Sequence, residues 1–300
     1  MKILVIGSSN TDMCIRMDHL PRAGETVLGG DFFMNQGGKG ANQAVAASRL
    51  GGDVTFVFKT GQDAFGDASR EIFTKEGINI DHSFVDKEVS SGVALIFIDK
   101  GAENSIAVAS GANGKLLPND IDSVENVIKE ADMILVQLEI PLSSIEHIAE
   151  IAKKYGKNLV INPAPAPAQN LSDKLLDGLY LITPNQTEAE ILTGVKVVDN
   201  DSARLAAQVL LKKGVKNVVI TMNSQGAYFL NADKELFSPS FKVEALDTTA
   251  AGDVFNGALV VAICEGMDFE EALKFANKAA SISVTRMGAY SSAPFRQELK

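Results

Sequence analysis

The sequence lacks the residues from which metal sites, disulfide frameworks and membrane spans are made. Its 300 residues include two cysteines, Cys14 and Cys264, and three scattered histidines. Their spacing matches neither a zinc site nor a disulfide framework, which favours a reducing cytoplasm. No apolar run is long enough to predict a membrane span, and the run in MKILVIGSSN is too short for a signal peptide.

Positive charge is also scarce, with 28 basic against 38 acidic residues and a net charge of −10. Nucleic-acid binders usually carry a basic stripe, so this balance argues against that class but leaves the binding of single nucleotides open. At 46% hydrophobic residues the chain can bury a large core. Its length predicts one large domain, alone or with a small appendage.

Short β-branched apolar runs alternate with longer helical patterns. The strand candidates are Ile3–Ile6, Val54–Phe58, Met133–Leu138, Leu159–Ile161, Tyr180–Ile182 and Val218–Thr221. The helix candidates are Lys39–Leu50, Ala64–Glu76, Leu142–Tyr155, Ser202–Lys213, Gly252–Glu265 and Phe269–Met287. This alternation predicts an α/β fold, with a central mostly parallel sheet covered by helices on both faces.

Two segments have β-like patches but no helix of their own. They are the Gly- and Pro-punctuated stretch Met13–Phe33 and a predicted hairpin, Ser91–Ile98 with Ser105–Ala109. We interpret them as a small β-sheet lid, inserted at about 12–38 and 91–110 into a single α/β domain spanning 1–300.

Polar residues follow most of the predicted strands. They are Asn10, Asp12, Glu139, Asn162, Asn185, Glu188 and Thr221. In open α/β sheets, ligands bind outside the carboxyl ends of the strands, so this row predicts a site there.

The strongest local signal is DTTAAGD, Asp247–Asp253, which leads into an apolar helix. Ala250, Ala251 and Gly252 leave backbone N–H groups exposed at the helix start, which makes an anion site. Asp253 has two interpretations. It is an acidic residue at a helix N-terminus, or it is a general base beside an anion hole, as phosphoryl transfer to a hydroxyl needs.

Four other motifs also have two interpretations or fail a test. QGGKGAN is not a P-loop, because Phe33 and Gly40 stand where a glycine and a hydroxyl are required. GSSNTD has too few glycines for a dinucleotide fingerprint; Asn10 and Asp12 are a sugar clamp or a turn. NQTE, Asn185–Glu188, is a capping box or lies near phosphate-bound Mg²⁺. TMNSQG is a turn or a nucleotide loop.

Together these motifs resemble a known family over nearly the whole chain. GGKGANQAVAASRLGG and DTTAAGDVFNGALV are similar to the two signatures of the ribokinase-like (PfkB) carbohydrate kinases. GSSNTD, PRAGETV, LEIP, NPAP and TPNQTEAE fall between or around them in the family's order. One departure is Asn223 in the nucleotide loop, where relatives often have glycine; asparagine tolerates a positive φ better than most residues.

The resemblance implies ATP-dependent phosphorylation of D-ribose to D-ribose 5-phosphate, with an alcohol group as acceptor. Asp253 would be the base, and Ala250, Ala251 and Gly252 the anion hole. The implied sugar contacts are Asn10, Asp12, Gly38, Lys39, Asn42, Glu139 and Asp253. The implied ATP contacts are Asn185, Thr221, Ser224, Gln225, Gly226, Gly252 and Asn277.

The resemblance also implies metal ions and a partner. Mg²⁺ would be held near Glu188 through water. A monovalent cation, K⁺, would be held by Asp247, Thr249, Ser283, Arg286, Gly288 and Ser292, and would brace the anion-hole loop. The implied partners are a sugar, ATP and a second copy of the chain, joined through the lid, with no nucleic acid and no membrane.

Two alternatives stay open. One is a kinase of the same fold that acts on 2-deoxyribose, another sugar or a nucleoside. The other is a sugar-binding protein that has lost the chemistry, since fold alone does not decide function.

Overall fold

The computed structural model describes residues 1–101, 103–167 and 170–300, with the backbone alone at position 104. The strands are β1 (Lys2–Ile6), β2 (Asn10–Arg16), β3 (Asp31–Gly37), β4 (Asp53–Val57), β5 (Lys59–Gly61), β6 (Phe84–Asp86), β7 (Gly92–Ile98), β8 (Asn104–Ala109), β9 (Met133–Gln137), β10 (Asn158–Asn162), β11 (Leu181–Ile182), β12 (Asn217–Thr221), β13 (Gly226–Asn231) and β14 (Glu235–Pro239). The helices are α1 (Lys39–Arg49), α2 (Ala64–Lys75), α3 (Pro118–Ser123), α4 (Glu125–Glu130), α5 (Leu142–Lys154), α6 (Asp173–Leu176), α7 (Gln186–Thr193), α8 (Asn200–Lys212), α9 (Ala251–Cys264) and α10 (Phe269–Ser283).

The central sheet has eight strands in the order β14–β13–β12–β11–β10–β9–β1–β4. All neighbours from β12 to β4 are parallel, whereas β13 and β14 add an antiparallel edge. Two apolar cores cover its two faces. The predicted α/β class and mostly parallel sheet are therefore confirmed, as parallel strands need cover on both sides.

The structure departs from the sequence-based expectation at two places. The hairpin of β13 and β14 was not predicted, because β14 is an edge strand in which every second residue is exposed. The last long helix ends at Ser283 rather than at Met287. There the carbonyl of Val284 accepts hydrogen bonds from the backbone N–H groups of Leu246 and Asp247. This tertiary contact holds the helix end against the loop that precedes α9.

Helices α1 and α9 pack closely, and this contact positions the site. A Cβ at Gly257 would lie 2.8 Å from the Ala46 Cβ and 2.8 Å from the Gln43 carbonyl oxygen. Only glycine allows this approach, which brings the N-termini of both helices to the carboxyl edge of the sheet.

A separate four-stranded sheet, in the order β3–β2–β7–β8, confirms the predicted small second sheet. Its strand β2 begins at Asn10 and β3 ends at Gly37, next to the N-terminus of α1. Within the described ranges, no helix combines the length and apolarity needed to cross a bilayer.

Candidate active site

Asp253 lies in the first turn of α9 and is buried. Its Oδ2 accepts a hydrogen bond from Asn42 Nδ2 and its Oδ1 accepts one from Gln43 Nε2, both at 2.9 Å. Burial raises the pKa of Asp253 above its usual range, while the Lys39 ammonium and the two amides lower it. A raised pKa makes the carboxylate a better proton acceptor near neutral pH.

The N-terminus of α1 is capped by a carboxylate from the other side of the site. Oε2 of Glu139, which follows β9, accepts from the Lys39 backbone N–H at 2.9 Å and from Ser8 Oγ at 2.5 Å. Ser8 Oγ in turn accepts from the Gly40 N–H at 3.3 Å. This arrangement suits a helix N-terminus, which favours negative charge, and it leaves Glu139 Oε1 for other contacts.

Asn10 and Asp12 project from the first residues of β2. Oδ1 of Asn10 accepts from Asn113 Nδ2 at 2.7 Å, so the Asn10 amide nitrogen is the group left to donate. The Asp12 carboxylate lies against Gly37, where a Cβ would come within 2.1 Å of its Oδ2. Gly37 therefore has no room for a side chain, and the predicted clamp residues are held by close packing at the base of the second sheet.

Four carboxylates surround one ammonium group in this site. Burial raises the pKa of Asp12 to about 7, assisted by Glu139 and Asp253. Burial alone would lower the pKa of Lys39, but Asp253, Glu139, Glu188 and Asp12 together raise it above its usual value. Among the described residues, the Lys39 Nζ makes no hydrogen bond and no ion pair within 4 Å. The lysine is thus charged and available to an anionic ligand.

The start of α9 presents unpaired backbone donors. Ala250 precedes the helix with φ 59°, a conformation that is uncommon for residues other than glycine. The Ala251 N–H donates to the Thr248 carbonyl at 3.3 Å. In the described part of the chain, the N–H groups of Gly252 and Asp253 have no acceptor. A Cβ at Gly252 would meet no atom within 4 Å, so open space faces this position.

The predicted nucleotide residues lie beside the ends of β11 and β12. Asn185 and Thr221 form an isolated parallel bridge between these strand ends. Asn223 adopts φ 51°, a positive value that asparagine tolerates better than most residues. Ser224 and Gln225 complete the turn, and a Cβ at Gly226 would lie 2.1 Å from the Ser238 carbonyl oxygen.

Asn277, from α10, reaches the strand next to this turn. Its Nδ2 donates to the carbonyl oxygen and to the hydroxyl of Ser238, both at 3.0 Å. The side chain therefore anchors the end of β14, and its Oδ1 is left to other partners.

The NQTE motif is a capping box. Asn185 Oδ1 accepts from the Glu188 N–H at 2.8 Å, and Glu188 Oε2 accepts from the Asn185 N–H at 2.9 Å. Glu188 is buried, which raises its pKa, and the charges of Lys39 and Asp253 also act on that pKa. Across the described ranges, no three acidic, His or Cys side chains form a metal cluster. Glu188 fits only an ion that takes most ligands from water and phosphate, as Mg²⁺ does.

The predicted cation residues lie on two segments joined by Asp247. Its Oδ1 accepts from the Thr249 N–H and its Oδ2 from the Gly288 N–H, both at 2.9 Å. Burial would raise the pKa of Asp247, but these bonds lower it, so the group stays ionised. The Arg286 guanidinium donates to Glu298 Oε1 at 2.5 Å, so this predicted cation residue is paired with Glu298 rather than with Asp247.

Ser283 and Ser292, also predicted cation residues, bond locally. The Ser283 hydroxyl donates to the Ala280 carbonyl and the Ser292 hydroxyl to the Ala289 carbonyl. Both serines are buried at the ends of the segment that Gly288 ties to Asp247.

Two cavities lie at opposite ends of the sheet. One of 360 Å³ is bounded by Asn10, Glu139 and Val108 and adjoins the site. A larger one of 430 Å³ lies at the amino ends of the strands, between α5 and α6. Ion pairs such as Lys153–Asp177, at 2.8 Å, rim the larger cavity. Of the predicted site residues, Asn10 and Glu139 line the smaller cavity, and none lines the larger one.

The sequence did not indicate three supporting residues, Ser8, Gln43 and Asn113. Gln43 could have been found from its spacing. Lys39, Asn42 and Gln43 stand at i, i+3 and i+4, so they share one face of the predicted helix. Asn113 had none, since it lies in a short 3₁₀ turn far along the chain.

Comparison with known proteins identifies the family of the chain. Residues 1–296 match the model of the pfkB family carbohydrate kinases. The chain is 47% identical to a ribokinase of Haemophilus influenzae over 99% of this chain and 96% of the relative. It is 40% identical to a deoxyribokinase of Salmonella typhi over 98% of this chain and 96% of the relative.

A solved structure of Arabidopsis thaliana ribokinase, complexed with ribose and ATP, superposes with a TM-score of 0.93. It is 31% identical and covers 99% of this chain and 96% of its own. These matches extend over both signatures and the second sheet. The chain belongs to the pfkB family of carbohydrate kinases and is a phosphotransferase.

Proposed function

We propose that the chain transfers the γ-phosphoryl group of ATP to the 5-hydroxyl of D-ribose and releases D-ribose 5-phosphate and ADP. The observation that carries this proposal is the buried Asp253 carboxylate beside the unpaired N–H groups of Gly252 and Asp253. The ribokinase relatives and the neighbour that holds ribose and ATP support the choice of substrates.

In the proposed reaction Asp253 removes the proton of the 5-hydroxyl as its oxygen attacks the γ-phosphorus. The new O–P bond forms while the bond to the β,γ-bridging oxygen breaks, and the leaving ADP carries away that electron pair. The N–H groups at the start of α9 and the Lys39 ammonium stabilise the charge on the transferring group.

The sugar is held by groups that match hydroxyls. Asn10 donates through its amide nitrogen, Asp12 and Glu139 accept, and Asn42 offers an Oδ1 that is buried and unpaired among the described residues. Gly38 adopts φ 89° and lets the chain turn from the lid strand into α1. We assign ATP to Asn185, Thr221–Gly226, Gly252 and Asn277.

We further propose two ions. Mg²⁺, held through water near Glu188, would neutralise charge on the ATP phosphates. K⁺ would lie by Asp247, Thr249, Gly288 and the carbonyl-rich turn from Ser283 to Ser292, and would brace the anion-hole loop. The ionised Asp247 carboxylate supports a cation at this place.

The second sheet is proposed to act as a lid and as a dimer contact. Phe32, Met34, Leu95 and Ile106 expose apolar surface on its strands. Sedimentation at micromolar concentration should show a dimer, and Leu95→Arg should convert it to monomer. A wild-type monomer would contradict this part of the proposal.

The affinity for ribose is expected to depend on pH through Asp12. Its pKa is raised to about 7, so below that pH a bound proton removes part of its capacity to accept from hydroxyls. KM for ribose should therefore rise as pH falls from about 8 to 6. Asp12→Asn should have a higher KM at all pH values and lose this dependence. A wild-type KM that is flat across the range would contradict the assignment.

The function is tested by ADP release with D-ribose, 2-deoxy-D-ribose, D-fructose and adenosine, each with and without K⁺. Ribose should be the preferred substrate and K⁺ should raise its turnover. A site that bonds a hydroxyl discriminates against the analogue that lacks it, because its own polar groups remain unpaired. A higher kcat/KM for 2-deoxyribose would support the activity of the Salmonella relative instead. No turnover of any substrate would support a sugar-binding protein without catalysis.

A further inference from the structure

Gln43 is bonded at both ends of its side chain and has no exposed surface. Its Nε2 donates to Asp253 Oδ1 at 2.9 Å and to Asn162 Oδ1 at 3.0 Å. Its Oε1 accepts from Gln137 Nε2 at 2.6 Å. The residue thus links the carboxylate at the start of α9 to the ends of strands β9 and β10.

These bonds admit one orientation for each amide. An ionised carboxylate only accepts, so Gln43 must turn its nitrogen to Asp253. Asn162 donates through Nδ2 to the Thr183 carbonyl at 3.0 Å, so its Oδ1 faces Gln43. Gln137 must then direct its own nitrogen at Gln43 Oε1.

Gln137 keeps this orientation at a cost. Its Oε1 is buried without a hydrogen-bond partner among the described residues, and a Cβ at Gly7 would lie 2.1 Å from it. An unsatisfied buried acceptor lowers stability. Packing alone gives no reason for a glutamine at position 137. The hydrogen bond from Gln137 to Gln43 Oε1 gives one.

We propose that Gln43, supported by Gln137, is a positioning residue that fixes the direction of the Asp253 carboxylate toward the reacting hydroxyl. The inference rests on the proposed role of Asp253 as the base. Asn42 is different, because its unpaired Oδ1 is available to the sugar. Gln43 is fully buried and acts only through Asp253.

If Gln43 positions Asp253, loss of Gln43 should change the pH dependence of kcat, because charged groups around Asp253 set its pKa. The charged groups that act on Asp253 are Lys39 from α1, Glu139 after β9, Asp12 from β2 and Glu188 from α7. Lys39 and the donated amide bonds lower the pKa of Asp253, against burial and the other carboxylates. Loss of the Gln43 donor leaves the four charged groups in place and raises that pKa further. The acid limb of kcat should then move to higher pH.

The test uses Gln43→Met and Gln137→Met in the full-length protein, with kcat, KM for ribose and the pH profile measured for each. Gln43→Met should lower kcat by about 10- to 100-fold, the range for one hydrogen bond to a charged group, with KM changed by less than about threefold. The acid limb of the kcat–pH profile of Gln43→Met should shift to higher pH. Gln137→Met should shift kcat and the limb in the same direction by less, and it decides the matter if Gln43→Met does not fold.

Asn217→Leu is the matched control. Asn217 is a buried amide at the amino end of β12 that donates to the Tyr180 carbonyl at 2.8 Å. The Asn217→Leu variant should have a lower thermal stability and the same kcat–pH profile as the wild type.

The inference is overturned if both glutamine variants retain wild-type kcat and acid limb, or if they lose only thermal stability, as the control does. If Asp253→Asn itself retains full kcat, the proposed base fails and the inference falls with it. If Asp253→Asn is inactive and the glutamine variants are normal, only the inference fails.

Discussion

Replacing Asp253 by asparagine should lower kcat at least about 100-fold, which is about 2.7 kcal/mol in the barrier. The reason is that the amide cannot take the hydroxyl proton. KM for ribose should change less than kcat, because Asn10, Asp12 and Glu139 also hold the sugar in the proposed complex. The measurement is steady-state ADP release at saturating ribose and ATP.

The variant is expected to fold, because the neighbouring amide can adapt. Asn42 Oδ1 has no partner among the described residues, so a flip of this amide would offer an oxygen to the nitrogen of the substituted side chain. Glu271→Gln is the matched control, since Glu271 stands at the third position of α10 as Asp253 does in α9. If Asp253 only complements a helix dipole, both variants should behave alike, with small losses of stability and full activity.

The Gly252→Val variant should lower kcat by about 100- to 1000-fold, the cost of losing one oxyanion-hole donor. A Cβ at Gly252 meets no protein atom within 4 Å, so the fold gives no reason for glycine there. The reason we propose is close approach of a phosphoryl group to the N–H. A valine would occupy that space and hold the group away.

Thermal stability of the Gly252 variants distinguishes a role in phosphoryl binding from a purely structural role of this glycine. Glycine costs about 0.5–1 kcal/mol relative to alanine inside a helix, so Gly252→Ala should leave the thermal midpoint unchanged or higher. Its activity should fall between those of wild type and Gly252→Val. Full activity in the valine variant would show that no ligand approaches this position.

The fold was predictable where local and global signals agree. The six parallel strands, β1, β4 and β9 to β12, are mostly apolar because helices cover both faces of the sheet, and these apolar runs are visible in the sequence. The hairpin of β13 and β14 was missed because β14 is an edge strand in which every second residue is exposed. The end of α10 was missed because Val284 is held by Leu246 and Asp247, a contact that periodicity does not register.

The site was predictable where residues follow strands or begin helices. Asp253, Lys39 and Glu139 all met this criterion. Their mutual support was not predictable, since the bond from Glu139 to the Lys39 backbone joins positions 100 residues apart. For NQTE the sequence left a capping box and a place near the site as alternatives, whereas in the structure Glu188 both caps its helix and is buried near the charges of Lys39 and Asp253.

In the proposed reaction, Asp253 activates the 5-hydroxyl of D-ribose for attack on ATP. The most direct measurement is phosphorus and carbon NMR of the product formed from ATP, Mg²⁺ and D-ribose. We predict a single monoester with phosphorus coupled to C5 in the wild type, and at most about a hundredth of its rate in Asp253→Asn. A phosphate on another hydroxyl, or the same ester formed at full rate by the variant, would contradict the account.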